Sequence, residues 1–210
     1  MKIAIVCNGR SGSTSLFNLI KCLLSSQNEK YEYFFEPFNF NVIDIDKHKT
    51  IDVFTNDKNI LIKTFINNDN YPYESFNNSE DYWSWFFQYF DKIIVLEREN
   101  KREQSESLVY HFKIKSEWHK QKFYNLTEDD EEDIVGITKH LEEESKNLRN
   151  ISKRGYPLFT YEDIFVRRNQ NTHDELLRYL SLNHNQKCFD DWILSPYRKV
   201  RIEKKTNNLI

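Results

Sequence analysis

Glycine is scarce in this chain: 4 in 210 residues, beside 4 prolines, 3 cysteines and 1 methionine. So little Gly and Pro excludes a collagen-like or low-complexity chain, and no stretch reads as a flexible linker. The three cysteines, Cys7, Cys22 and Cys188, form no C-x-x-C pair and no Cys/His cluster. That pattern indicates neither a zinc site nor a disulfide framework, so the expectation is free thiols in a reducing compartment. No apolar run reaches the roughly 18 residues of a membrane helix. The first residues read straight into a strand rather than a signal peptide, and a cytoplasmic chain without a membrane span is expected. Charge is nearly balanced, 30 Lys and Arg against 33 Asp and Glu, for a net of −3. Without a global field, no nucleic-acid partner is expected, and any anion site must be local.

What is abundant is rings: 16 Phe, 12 Tyr and 4 Trp make 15% of the chain, enough to build a core and its clefts from aromatics. The length suits one domain over residues 1–210 with a sizeable core. Lys2 to Val6, Ile60 to Phe65, Lys92 to Glu97 and Tyr156 to Tyr161 read as short strands, the first three apolar and β-branched. Ser15 to Leu24 reads as a helix with Leu16, Leu19, Ile20, Leu23 and Leu24 on one face. Further helices are expected at Glu80 to Phe90, Lys101 to Trp118, Ile134 to Ile151 and near His173 to Leu182, with a basic tail beyond. Tyr31 to Phe40 is an aromatic stretch broken by Glu36-Pro37, and the acidic run Thr127 to Asp133 reads as a solvated loop and helix start. Strands alternating with helices predict an α/β fold: a three-layer sandwich whose central parallel sheet of about four to five strands is flanked by helices.

Two of the four glycines sit in one turn, Asn8-Gly9-Arg10-Ser11-Gly12-Ser13-Thr14-Ser15, between the first strand and the first helix. At such a turn backbone N–H groups converge, and the helix dipole adds positive potential. Gly9 and Gly12 allow close approach of an anion; Ser11, Ser13, Thr14 and Ser15 offer hydroxyls; Arg10 offers a fixed cation. A nucleoside-triphosphate loop of the form G-x-x-x-x-G-K-[ST] does not fit, because Gly9 and Gly12 are three apart and Ser13, not Lys, follows Gly12.

The run Arg10-Ser11-Gly12-Ser13-Thr14 resembles the [KR]-[ST]-G-[ST]-[ST] loop with which sulfotransferases bind the 5′-phosphosulfate of 3′-phosphoadenosine-5′-phosphosulfate (PAPS). Two further stretches are similar. Arg98 closes the third strand, and Ser105 and Ser107 follow seven and nine positions later, where the family commonly spaces its 3′-phosphate-binding Arg and Ser by eight. The R-x-x-K-x-x-Q-x-x-S-L arrangement looks like the trehalose sulfotransferase-like branch and favours Ser107 over Ser105. Tyr161-Glu162-Asp163-Ile164 resembles the YEDL that follows a late strand, with a structural role expected.

The resemblance implies a P-loop NTPase-like sulfotransferase fold, PAPS as donor without a metal, and an acceptor hydroxyl, by the branch likeness that of a carbohydrate. It leaves the oligomeric state open. Arg10 is expected beside the 5′-phosphate, stabilising charge on the leaving side. Lys63-Thr64-Phe65 stands where cytosolic members carry Lys-Thr-His; Lys63 is kept and Phe65 cannot accept a proton. Carbohydrate-type members use a Glu before a Pro, matched by Glu36-Pro37, so Glu36 is the expected general base, in an aromatic surrounding suited to a proton-accepting carboxylate. Trp83, Trp85, Phe86 and Trp118 are expected to line an acceptor pocket between Glu36 and the aromatic helix, with His111 and His119 as further candidates and Arg198, Lys199 and Arg201 as added cations. A P-loop-type small-molecule or nucleoside kinase and a non-catalytic phosphoadenosine-binding module are the alternatives.

Overall fold

The structure is a computed structural model, and it describes residues 1–36, 58–66, 79–116 and 127–193. Five strands form one sheet: β1 (Lys2–Cys7), β2 (Glu32–Phe35), β3 (Ile60–Phe65), β4 (Lys92–Glu97) and β5 (Leu158–Thr160). Their order is β2-β3-β1-β4-β5, and every pairing is parallel. The helices are α1 (Ser13–Ser26), α2 (Ser79–Phe87), α3 (Lys101–Ser116), α4 (Glu131–Ser152), α5 (Gln170–Leu180) and α6 (Gln186–Ile193). The α/β sandwich with a parallel sheet is therefore as expected, and the sheet has five strands. Among the described residues no helix is long and apolar enough to cross a membrane.

Alternation along the strands builds two cores. Ile3, Ile5 and Cys7 face α1, α5 and α6, while Ala4 and Val6 face α2 and α4. The α1 stripe is fully used: Leu16, Leu19, Ile20, Leu23 and Leu24 have no exposed surface. Each such side chain contributes about 1.5–3 kcal/mol by leaving water. Glu97, nearly buried at the end of β4, is held by Arg149 of α4 at 3.0 Å.

Several boundaries differ from the sequence expectation. Glu32–Phe35 is a strand and not only an aromatic stretch, because it pairs with β3 from Glu32↔Ile60 to Phe35↔Lys63. The acidic run is split. Asp130 is fully buried, its carboxylate accepting from the Thr127 N–H at 2.9 Å and facing Lys113 at 3.2 Å, so it closes a capping box on the 3-10 turn Glu128–Asp130 that leads into α4 rather than standing in solvent. A helix, α6, occupies part of the segment before the basic tail. The tail itself, with Arg198, Lys199 and Arg201, lies outside the described residues, as do Trp118 and His119.

The cysteine expectation is overturned. Cys22 of α1 and Cys188 of α6 form a disulfide, and only Cys7 is a free thiol. Spacing could not reveal this, since the two are 166 positions apart and packing of α6 on α1 brings their Cα atoms to 5.7 Å. Disulfides persist in oxidising compartments, so the cysteines no longer support a reducing one. Cys188→Ser is expected to lower stability by about 2–4 kcal/mol. Thermal melting without reductant checks this; equal melting of variant and parent would show that the bond adds nothing.

Candidate functional site

The carboxyl ends of β2, β3, β1 and β4 meet at one edge of the sheet. Cys7 pairs with Phe65 on one side and Leu96 on the other. Chain segments leaving these strands therefore emerge side by side: Glu36 from β2, Phe65 from β3, Asn8–Gly12 from β1 and Arg98 from β4. The β1 connection leads to one side of the sheet and the β4 strand lies on the other, the kind of switch point where open α/β sheets bind ligands.

The Asn8–Gly12 turn is held by its neighbours. Gly12 begins α1 with φ 82°, and no side chain caps the helix. Its carbonyl accepts from Ser15 at 3.0 Å and Leu16 at 3.1 Å. Gln104 of α3, fully buried, donates its carboxamide N–H to Asn8 Oδ1 at 3.0 Å and to the Gly9 carbonyl. Arg10 is exposed and donates Nε–H to Ser107 Oγ at 3.1 Å, which ties the turn to α3. Ser11 and Ser13 are buried and lie against the Cys7 thiol, whose pKa burial pushes up. Both hydroxyls thus lie on the buried side of the turn. Thr14 is exposed and Ser15 half-buried.

Arg98 stands close to this turn through a ring. The Tyr161 ring packs so tightly on Gly12 that a Cβ there would lie 2.2 Å from it, and the Arg98 guanidinium sits over the same ring, 4.9 Å from its centre. Arg98 Nη2 donates to Glu103 at 2.7 Å, its buried Nε makes no hydrogen bond, and Glu162 lies 3.8 Å away. Glu162 also accepts the backbone N–H groups of Glu99 at 2.8 Å and Asn100 at 3.2 Å, fixing the turn into α3. The Tyr-Glu-Asp stretch does form a turn, a π-helical one at Glu162–Val166. Its first two residues also shape the site, which the sequence reading missed. An aromatic directly after a strand that neighbours Arg98 was the available signal.

Of the two serines, Ser107 faces Arg10, whereas Ser105 bonds the Lys101 carbonyl and the Thr138 hydroxyl, both at 2.8 Å. Ser105 thus serves the α3–α4 contact. Lys101 donates to the Arg98 carbonyl, and burial pulls its pKa down.

On the other side of the turn, Glu36 and Lys63 form a buried ion pair. Lys63 also lies over the Phe35 and Phe65 rings, 4.2 and 4.7 Å from their centres, and 3.5 Å from Thr14 Oγ1. The nearest partner of the Glu36 carboxylate is thus an ammonium rather than a ring. Among the described residues five non-glycine residues have positive φ: Arg10, Asn28, Glu36, Arg168 and Ser181. Asn28, Arg168 and Ser181 end helical segments, where such a conformation is ordinary. Arg10 and Glu36 do not, and strain of this kind is kept where a side chain must be aimed.

Among the described residues, the α2 rings expected to line an acceptor pocket pack into the core instead. Tyr82 and Phe86 are fully buried, and Trp83 nearly so, in the core beneath the sheet, with Trp85 packed against them. An apolar helix face met a sheet face, and burial claimed the rings. Among the described residues a cleft of about 280 Å³ opens between Asn8, Gly9, Phe65, α3 and α4. His111 is half-buried on α3 beside Phe112.

No protein-family model matches this chain, and no curated protein matches it either.

Proposed function

We propose that the chain is a sulfotransferase moving a sulfuryl group from PAPS to an acceptor hydroxyl. What supports the reading is one juxtaposition: the uncapped start of α1, Arg10, Ser107 and Arg98 lie together at one edge of the sheet, linked by the Arg10–Ser107 bond and by the Tyr161 ring. The residues fit a nucleotide with phosphate at both ends. Arg98 keeps a buried Nε without a hydrogen bond, and its Glu103 partner is 41% exposed.

PAPS supplies the sulfuryl group together with its leaving group. The chain's own residues bind, orient and hold protons around it. The turn amides and Arg10 would hold the 5′-phosphate, and Arg98 and Ser107 the 3′-phosphate, where a guanidinium fork suits phosphate oxygens. Lys63, buried beside Thr14, would meet negative charge at the transferring end. Glu36 would take the acceptor proton once Lys63 turns from it toward the anionic group.

Titration calorimetry with adenosine 3′,5′-bisphosphate, against ATP with Mg²⁺, tests the reading. Tight binding of the bisphosphate and none of ATP is expected; the reverse would favour a kinase. Arg98→Ala is expected to weaken the bisphosphate about 10- to 100-fold and leave adenosine 5′-monophosphate unchanged. Equal loss for both nucleotides would remove Arg98 from the 3′-phosphate.

A further inference from the structure

We infer that Gln104 is a positioning residue: from α3 it holds the Gly9–Arg10 peptide with its carbonyl oxygen against the helix, which leaves the N–H side of that peptide to an anion. That the anion is the 5′-phosphate of a nucleotide rests on the transfer reading; that Gln104 holds the peptide does not.

The backbone shows why this peptide needs holding. Arg10 has φ 56°, a left-handed conformation that a residue with a Cβ adopts at a cost. Turning the peptide plane over would return Arg10 to negative φ, and Gly9 on its other side tolerates the change. Local preference therefore favours the flip. In a trans peptide the C=O and N–H point opposite ways, and no described peptide is cis. The flip would exchange the two, setting a carbonyl oxygen where the N–H stands. An oxygen there repels a phosphate or sulfate group, and an N–H attracts it.

Gln104 opposes the flip. It is fully buried in the first turn of α3, and its NH2 group donates to the Gly9 carbonyl and to Asn8 Oδ1, the latter at 3.0 Å. A carbonyl only accepts, so the Gln104 atom against Gly9 must be the nitrogen. The Asn8 atom against that nitrogen must then be the oxygen, and both carboxamides have one orientation. The Gly9 bond is lost if the peptide turns over, and the Asn8 bond fixes the group that makes it. Ser107, three positions on, accepts the Arg10 Nε–H at 3.1 Å. One face of α3 thus holds both the peptide and the side chain of the same turn. Packing alone does not explain a carboxamide here. Gln104 Oε1 and Asn8 Nδ2 are buried without a hydrogen bond, a cost that apolar side chains would avoid. What the carboxamide supplies is a donor at the Gly9 carbonyl.

The test titrates the full chain by calorimetry with adenosine 5′-monophosphate, adenosine 3′-monophosphate and adenosine 3′,5′-bisphosphate. Gln104→Met keeps the length of the side chain and removes the donor. It should weaken the 5′-monophosphate and the bisphosphate by the same factor, about tenfold, and spare the 3′-monophosphate. Gln104→Glu sets a carboxylate against the carbonyl and should weaken the first two further. A merely structural glutamine would loosen the whole site. Equal loss for all three nucleotides, or an unchanged 5′-monophosphate, therefore overturns the inference and leaves the transfer reading standing. Where the parent chain binds none of the three, the transfer reading falls, and amide hydrogen exchange decides the inference. Exchange over residues 8–13 should quicken in Gln104→Met while that of β4 stays as in the parent; unchanged exchange in the turn overturns it. Should neither variant fold by circular dichroism, the Gln104 carboxamide resonances of the parent decide. They should shift with the 5′-monophosphate and not with the 3′-monophosphate, and the same shift with both overturns the inference.

Discussion

Glu36→Gln should lower sulfuryl transfer by about 10²–10⁴-fold while adenosine 3′,5′-bisphosphate binds as before. The carboxamide keeps the size of the side chain but cannot take a proton. The substitution also strips Lys63 of its counter-ion, and Lys63 is only 2% exposed. An uncompensated buried ammonium costs about 3–5 kcal/mol, so the single variant is expected to melt earlier. The double variant Glu36→Gln/Lys63→Met removes both charges and should recover most of that stability without recovering transfer. Stability and chemistry are thereby read separately. Turnover by Glu36→Gln near the parent rate would reject Glu36 as the base.

Gly12→Ala should disable the turn and destabilise the chain together. The residue has φ 82°, where an alanine is strained by about 1–2 kcal/mol. Its Cβ would also lie 2.2 Å from Tyr161, so the ring must move. Because the Arg98 guanidinium rests on that ring, the displacement reaches the far end of the site. Nucleotide affinity should fall along with the melting temperature. Tyr161→Phe keeps the ring and should change neither, whereas Tyr161→Ala should lower bisphosphate affinity with little effect on adenosine 5′-monophosphate. Unaltered bisphosphate binding by Tyr161→Ala would show that the ring does not position Arg98.

The strand–turn–helix at the N-terminus was legible because each level agrees. A β-branched apolar run, two glycines in the turn and a stripe of Leu16, Leu19, Ile20, Leu23 and Leu24 all point to one local structure. Lys92 to Glu97 was legible for the same reason and matches β4 residue for residue. The short strand β2 was not, since EYFF carries no alternation and becomes a strand only by bonding to β3. The place of the α2 rings was not legible, because aromatic side chains suit a pocket and a core equally, and only packing chooses.

Within the site, residue type marked Arg10, Arg98, Glu36 and Lys63 as charges at strand ends. Sequence by itself determined these local facts: that the β1, β3 and β4 segments are strands, where the chain must turn on glycine, and which charges stand at those turns. Only the tertiary structure decided which of them meet. Parallel pairing β3-β1-β4 sets the Lys63, Asn8–Gly12 and Arg98 segments at one edge, and Tyr161, 63 positions after Arg98, closes the gap between two of them. The Cys22–Cys188 bond and the pairing of Glu36 with Lys63 belong to the same class. Each joins residues remote along the chain, and proximity of that kind is fixed by how buried faces pack, a property that no local pattern encodes.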